Sequence, residues 1–109
     1  MQVQTGDLRV FLEADLPDAT AALAWLGQAG FALRLQRQLV LIDPYLSDSL
    51  ALKYRGREFP HVRLTPSPIA PDALRGVSAV LCTHRHSDHM DPGTLPVVAK
   101  NNPTCRFVI

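Results

Sequence analysis

Long apolar runs are missing from this sequence, cysteine and aromatic residues are scarce, and neither sign of charge dominates. Each shortage excludes something. The most apolar stretch, residues 21–35, is broken by Gln28 and Arg34 and by glycines at Gly27 and Gly30. A membrane-crossing helix needs ~20 mostly apolar residues without such breaks, so no membrane partner is expected. Eleven basic side chains against ten acidic ones leave a formal net charge of +1. That balance argues against a dedicated nucleic-acid binder, which draws its phosphate contacts from a clear basic excess. The two cysteines, Cys82 and Cys105, have no CxxC spacing and stand too few to build a disulfide framework. They read as small buried thiols in a reducing compartment, which makes the cytoplasm the expected location. The opening MQVQTGDLRV has no basic region followed by an apolar core, so no secretory signal is expected.

What is present fits one globular domain. The chain has 109 residues, 47% hydrophobic and 19% charged, too apolar for a disordered segment. Nine prolines and six glycines favour a turn-rich mixed architecture over a helical bundle. The first 18 residues fit a strand through Leu8, Val10 and Leu12 or a helix face through Leu8, Phe11 and Leu12, and stay open between the two. Beyond them, Ala21–Leu26, Phe31–Leu35 and Leu39–Ile42 read as three short strands. Gly27-Gln28-Ala29-Gly30 supplies the first turn and Arg37-Gln38 the second break, which predicts an antiparallel meander. The single tryptophan, Trp25, reads as a core residue.

Residues 45–71 read as one long connection, basic through Lys53, Arg55, Arg57 and Arg63, with prolines at 60, 66, 68 and 71 opposing helix and central strand. Pro71–Gly76 reads as a single helical turn. Val77–Cys82 predicts a buried strand. Thr94 is placed as the N-cap of a helix running to about Asn101, stopped by Pro103. Cys105–Ile109 predicts a last strand. A strand at the end of the chain is a poor finish for a self-contained domain, so the sequence is expected to be the N-terminal part of a longer protein.

Three of the four histidines fall in six residues, His84-Arg85-His86-Ser87-Asp88-His89, directly after the predicted strand Val77–Cys82. In an extended loop, residues two apart point the same way, so His84 and His86 can share one ion. Asp88 and His89 follow where the chain turns and offer an oxygen and a nitrogen to a second. Imidazoles with a carboxylate suit Zn²⁺, Mn²⁺ or iron, whereas Mg²⁺ or Ca²⁺ would call for oxygen ligands.

This HxHxDH run resembles the signature of the metallo-β-lactamase superfamily. Trp25–Phe31, Leu41-Ile42-Asp43-Pro44, Arg63–Pro66 and Ala79–His84 are similar to the branch containing L-ascorbate-6-phosphate lactonase, and the likeness spans about residues 21–109. Arg85 departs from the aspartate often found there. The resemblance implies an α/β chain of the α+β type: the N-terminal half of an αββα sandwich, with a mixed sheet that includes the meander. Residues 1–109 would then be a partial domain whose second half is absent.

It also implies a hydrolase that uses one or two Zn²⁺ or Mn²⁺ ions to cleave a lactone, ester or phosphate ester in a small, anionic substrate. His84, His86, Asp88 and His89 would be the ligands, with Asp88 also accepting a proton in turnover. Asp43 is either an acceptor that orients a ligand histidine or the start of an Asp-Pro turn. Asp91 carries the same two readings. His61 reads as a solvated loop residue. Arg55, Arg57 and Arg63 read as a solvated basic face, with recognition of an anionic group as the competing use. Thr83 is expected to fix the loop by hydrogen bonding. In the family further ligands lie in the second half, and after His89 this chain has no histidine and only Asp91 as an acid. A partner chain, including a second copy, could complete the site. The competing functions are a non-catalytic metal-binding or assembly module and a nuclease of the same superfamily.

Overall fold

Strand formation begins with two tight hairpins. The computed structural model describes residues 6–59 and 62–109. Strands β1 (Ala21–Gly27), β2 (Gly30–Leu35) and β3 (Gln38–Ile42) pair antiparallel in sequence order, as the meander predicts. Each hairpin closes over two residues, and the first of each pair, Gln28 and Gln36, takes a positive φ. Strand β4 (Ala79–Leu81) then lies parallel to β3, and β5 (Arg106–Val108) parallel to β4. The result is a five-stranded mixed sheet in the order β1-β2-β3-β4-β5. β4 and β5 are shorter than the apolar runs Val77–Cys82 and Cys105–Ile109, although Ser78 N–H still donates to Leu39 O and Cys82 N–H to Val108 O.

Parallel pairing has a functional consequence. It brings the C-terminal ends of β3 and β4 to the same edge of the sheet, where the segments after Ile42 and Leu81 leave side by side. Asp43 N–H donates to Leu81 O at 2.9 Å, extending the ladder one residue past β3.

Helices cover one face. Helix α1 (Leu8–Glu13) resolves the open N-terminal segment: Asp7 caps it by accepting from Arg9 N–H, and Arg34 of β2 donates to Phe11 O and Ala14 O at its end. Helix α3 (Leu95–Asn101) packs beside the 3-10 turn Pro71–Ala73. Asn102, buried, stitches that layer together: its amide donates to Leu74 O and Val98 O, and its carbonyl accepts from Val77 N–H. Leu8, Leu26, Ala32, Leu41, Leu74, Val80 and Val98 form the centre of the core.

Three expectations are corrected. The long connection is not free of helix: α2 (Ser49–Lys53) forms in it, since the opposing prolines begin only at residue 60. Trp25 is not core but 58% exposed, because it lies on the sheet face opposite the helices; its indole N–H donates to Gln28 O at 2.8 Å. Thr94 stands at the N-cap of α3 as expected, with Val98 N–H donating to its carbonyl, but its side chain makes no capping bond because the hydroxyl is committed elsewhere. His61 lies outside the described residues.

Arg63 is a clamp rather than a solvated cation. It donates from Nη1 to Tyr45 O and from Nε to Thr65 O, and its guanidinium lies 4.9 Å from the Tyr45 ring centre. It packs where a Cβ on Gly27 would stand, 2.7 Å from Nη2. Gly27 itself holds φ +91, a backbone that residues with a Cβ rarely adopt. Gly27→Ala should therefore cost about 1–3 kcal/mol, mostly backbone strain, and displace Arg63. Urea unfolding checks this; an unchanged midpoint would refute the clamp.

Candidate metal centre

Two buried carboxylates, Asp43 and Asp91, hold the ends of the histidine loop. Asp43 follows β3 directly with φ +45 and is almost fully buried. It accepts from Thr83 N–H (2.8 Å) on Oδ1, and from the Thr83 hydroxyl (2.7 Å) and His89 Nδ1 (2.8 Å) on Oδ2. Burial alone would push its pKa up, but the bonds from His89 and Thr83 outweigh that and hold the carboxyl below its ordinary range. It is thus the acceptor in every one of these bonds.

That assignment propagates. A carboxylate only accepts, so His89 carries its proton on Nδ1. The one hydroxyl proton of Thr83 is given to Asp43, so the contact of Thr83 Oγ1 with His84 Nδ1 at 3.0 Å is donated by the ring. In their neutral form both imidazoles then carry the lone pair on Nε2, the form in which a histidine binds a metal.

The predicted ligands are gathered in one loop. The His84 ring centre lies 3.9 Å from that of His89 and 4.7 Å from that of His86. His89 Nε2 stands 3.5 Å from Asp88 Oδ2. His84 and His86 are exposed, while Asp88 and His89 are partly covered. Turn bonds from His89 N–H and Met90 N–H to His86 O fold the loop back. Among the described residues, no three His, Cys, Asp or Glu side chains stand as a group that could hold one ion. The donor set fits a transition metal in kind, with two imidazoles presenting Nε2 and a carboxylate beside one of them; it supplies neighbouring pairs rather than a closed set.

Asp91 is a second hub, and its bonds run to no histidine. Fully buried, it accepts from Ser47 Oγ (2.8 and 2.9 Å), Ser49 Oγ (2.7 Å), Gly93 N–H (2.9 Å) and the Thr94 hydroxyl. Thr94 Oγ1 in turn accepts from Leu46 N–H at 2.9 Å. The Asp-Pro-Gly turn reading holds through the Gly93 bond, but the larger role is to join the segment after β3 to the start of α3. Ser47 and Ser49 were invisible as partners in the sequence, since both lie more than 40 positions from Asp91. A cleft beside this hub is lined by Leu46, Ser47, Asp48, Arg63, Thr65 and Ser67. Arg57 lies over the Tyr54 ring. Both thiols are free, Cys82 buried and Cys105 half-buried. Burial, and for Cys82 also the charge of Asp43, pushes them up and makes them poor nucleophiles.

Comparison with known proteins follows the same residues. A family model described as beta-lactamase superfamily domain matches residues 38–108. A UPF0173 metal-dependent hydrolase from Paracoccus denitrificans is 33% identical over 67 residues, 62% of this chain and 24% of that protein. One from Aeropyrum pernix is 31% identical over 88 residues, 81% of this chain and 29% of its own. The chain spans about a quarter of the length of these curated relatives. Among solved structures, CmlA, a diiron beta-hydroxylase from Streptomyces venezuelae, matches with TM-score 0.50 and 27% identity over 84% of this chain and 15% of that one. None of these names carries the narrower lactonase branch. No helix among the described residues is long and apolar enough to cross a membrane.

Two outcomes are expected. In ¹⁵N imidazole spectra of the metal-free chain, His84 and His89 should both read as the Nδ1–H form, and Asp43→Ala should return His89 to a mixture; an unshifted His89 would refute the bond. Asp91→Ala leaves four donors without an acceptor, the Thr94 hydroxyl buried and those of Ser47, Ser49 and Gly93 part-buried, and should cost about 3 kcal/mol or more in urea unfolding, against about 0.5 kcal/mol or less for the exposed Asp15→Ala.

Proposed function

Because the chain belongs to the beta-lactamase superfamily domain family, we propose that its histidine loop is the metal-binding loop of a metal-dependent hydrolase. The observation that carries this is the hydrogen-bonded chain from Asp43 through Thr83 and His89, which leaves Nε2 of His84 and His89 free for an ion. His84 and His86 would hold one ion, and Asp88 and His89 a second. Bound Zn²⁺ or Mn²⁺ supplies a Lewis acid that brings the pKa of water down to roughly 7 and polarises the substrate oxygen.

The chain's own groups do the rest. Asp43 keeps the His89 ring oriented and its Nδ1 proton in place, while Thr83 does the same for His84. Asp88, 39% exposed, is the carboxylate able to take a proton from water. The substrate class is a small lactone, ester or phosphate ester of lactonase-like type, with an anionic group. A reducing cytoplasmic setting accords with two unpaired thiols.

A second reading, a non-catalytic metal-binding module, draws support from the same loop. Among the described residues its donors stand in neighbouring pairs rather than as a closed set of three. The two readings share metal binding and part at turnover. Elemental analysis after dialysis against Zn²⁺ or Mn²⁺ should find chelator-reversible metal, and His86→Ala should weaken its binding at least tenfold. Unchanged affinity in that variant refutes the ligand assignment. Chelator-sensitive hydrolysis of a lactone or a phosphodiester, even slow, supports the hydrolase; metal uptake with no hydrolysis supports the module.

A further inference from the structure

Arg63 carries a donor that the fold leaves unused. Its Nε and Nη1 are committed to Thr65 O and Tyr45 O. Nη2, by contrast, is the one buried side-chain nitrogen or oxygen among the described residues that has no hydrogen-bond partner. Its charge is unmatched as well: Arg63 belongs to neither of the ion pairs that His89 makes with Asp43 and Asp88, and among the described residues it pairs with no carboxylate. A buried donor without an acceptor is costly, more so on a cation, and each such exception in a folded protein calls for a reason.

The surroundings suit an oxyanion. Gly27 has no Cβ, and the point where one would stand is flanked by Arg63 Nη2 at 2.7 Å and Thr65 Oγ1 at 3.4 Å. The Thr65 hydroxyl makes no hydrogen bond of its own among the described residues. Two unused donors, one charged and one neutral, therefore meet beside the Gly27 turn. Both residues line the cleft next to Asp91, which has a volume of about 400 Å³ and includes Ser47 and Ser67 in its walls. That is the size of a small-molecule site. Asp48, exposed, lines the same cleft.

We propose that this cleft binds the phosphate or carboxylate group of a small molecule, with Arg63 Nη2 and Thr65 Oγ1 as its donors. The guanidinium is held by two backbone carbonyls and lies over the Tyr45 ring, so its plane is fixed before an anion arrives and little freedom is lost on pairing. Entry requires the wall at residues 62–67 to yield, and packing does not hold it: Val62 is 66% exposed and Leu64 99%. Asp48 repels a second anionic group, so the ligand carries one such group and is no polyanion. Ser47 links the cleft to Asp91 at the end of the histidine loop. The cleft thus seats the anionic group of the substrate; that role rests on the hydrolase reading above, whereas the anion binding itself does not.

The full chain, kept metal-free with a chelator, is titrated with inorganic phosphate and separately with acetate. The ¹⁵N signals of the Arg63 Nε–H and of the amides of residues 62–67 are followed. At least one anion should give a saturable shift with a millimolar or lower dissociation constant, and the tighter of the two identifies the group. Thr65→Val should weaken binding about tenfold, the effect of one hydrogen bond to a charged group. Arg63→Gln should abolish it and Asp48→Asn should tighten it at least twofold, with circular dichroism confirming the fold. Should Arg63→Gln fail to fold, the other two variants decide. His86→Ala should bind the anion like the parent, so a failure of the metal assignment is told apart from a failure here. No saturable shift at tens of millimolar of either anion overturns the proposal. So does a shift that chloride reproduces at equal ionic strength, or an affinity that Thr65→Val leaves unchanged.

Discussion

The Asp43 carboxylate is the point on which the site depends. It sits one residue past β3, in a left-handed conformation that aspartate tolerates better than most residues with a Cβ, and that bend turns its side chain across to the end of β4. Three donors converge on it, one backbone and two side-chain, and hold the buried charge. Such a group is costly to bury unpaired and strongly stabilised when its lone pairs are filled by well-placed donors. The same bonds that offset its burial also fix ring orientation and tautomer in two histidines. Structural satisfaction and chemical preparation are here one set of contacts.

Asp91 repeats the device at the other end of the loop, with hydroxyls in place of imidazoles. Its donors come from the segment after β3, its own turn and the start of α3. The loop between residues 83 and 91 is thereby anchored at both ends by buried carboxylates, while its middle, His84 to His86, stays exposed. The parallel β3–β4 pair makes this possible, since it delivers the two segments to one edge. An antiparallel pair would have sent them to opposite ends of the sheet.

Much of this was legible in the sequence, and the misses share a cause. Periodicity located all five strands and the two hairpins, because alternation and turn chemistry are local signals. HxHxDH located the loop, and Asp-Pro at 43–44 marked Asp43 as a candidate without deciding its role. Long-range partners were not readable. Ser47, Ser49 and Thr94 look like ordinary loop and cap residues until Asp91 is beside them, and Arg63 looks like one cation of a basic stretch until Tyr45 and Gly27 enclose it. Trp25 failed differently: Ala21–Leu26 read as one apolar run, which does not tell which face the helices would cover. Hydrophobicity marks an apolar face and says nothing of what fills it.

The two faces of the sheet separate stability from site geometry. Asp43, Thr83, His89 and Asp91 are fixed by bonds confined to the edge where β3 and β4 end, and none of those bonds passes through the apolar face. Covering that face therefore adds burial without moving the ligands. A protein arranged this way keeps a prepared metal loop on a locally braced edge, while its net stability is set by whatever packs against the opposite side of the same strands.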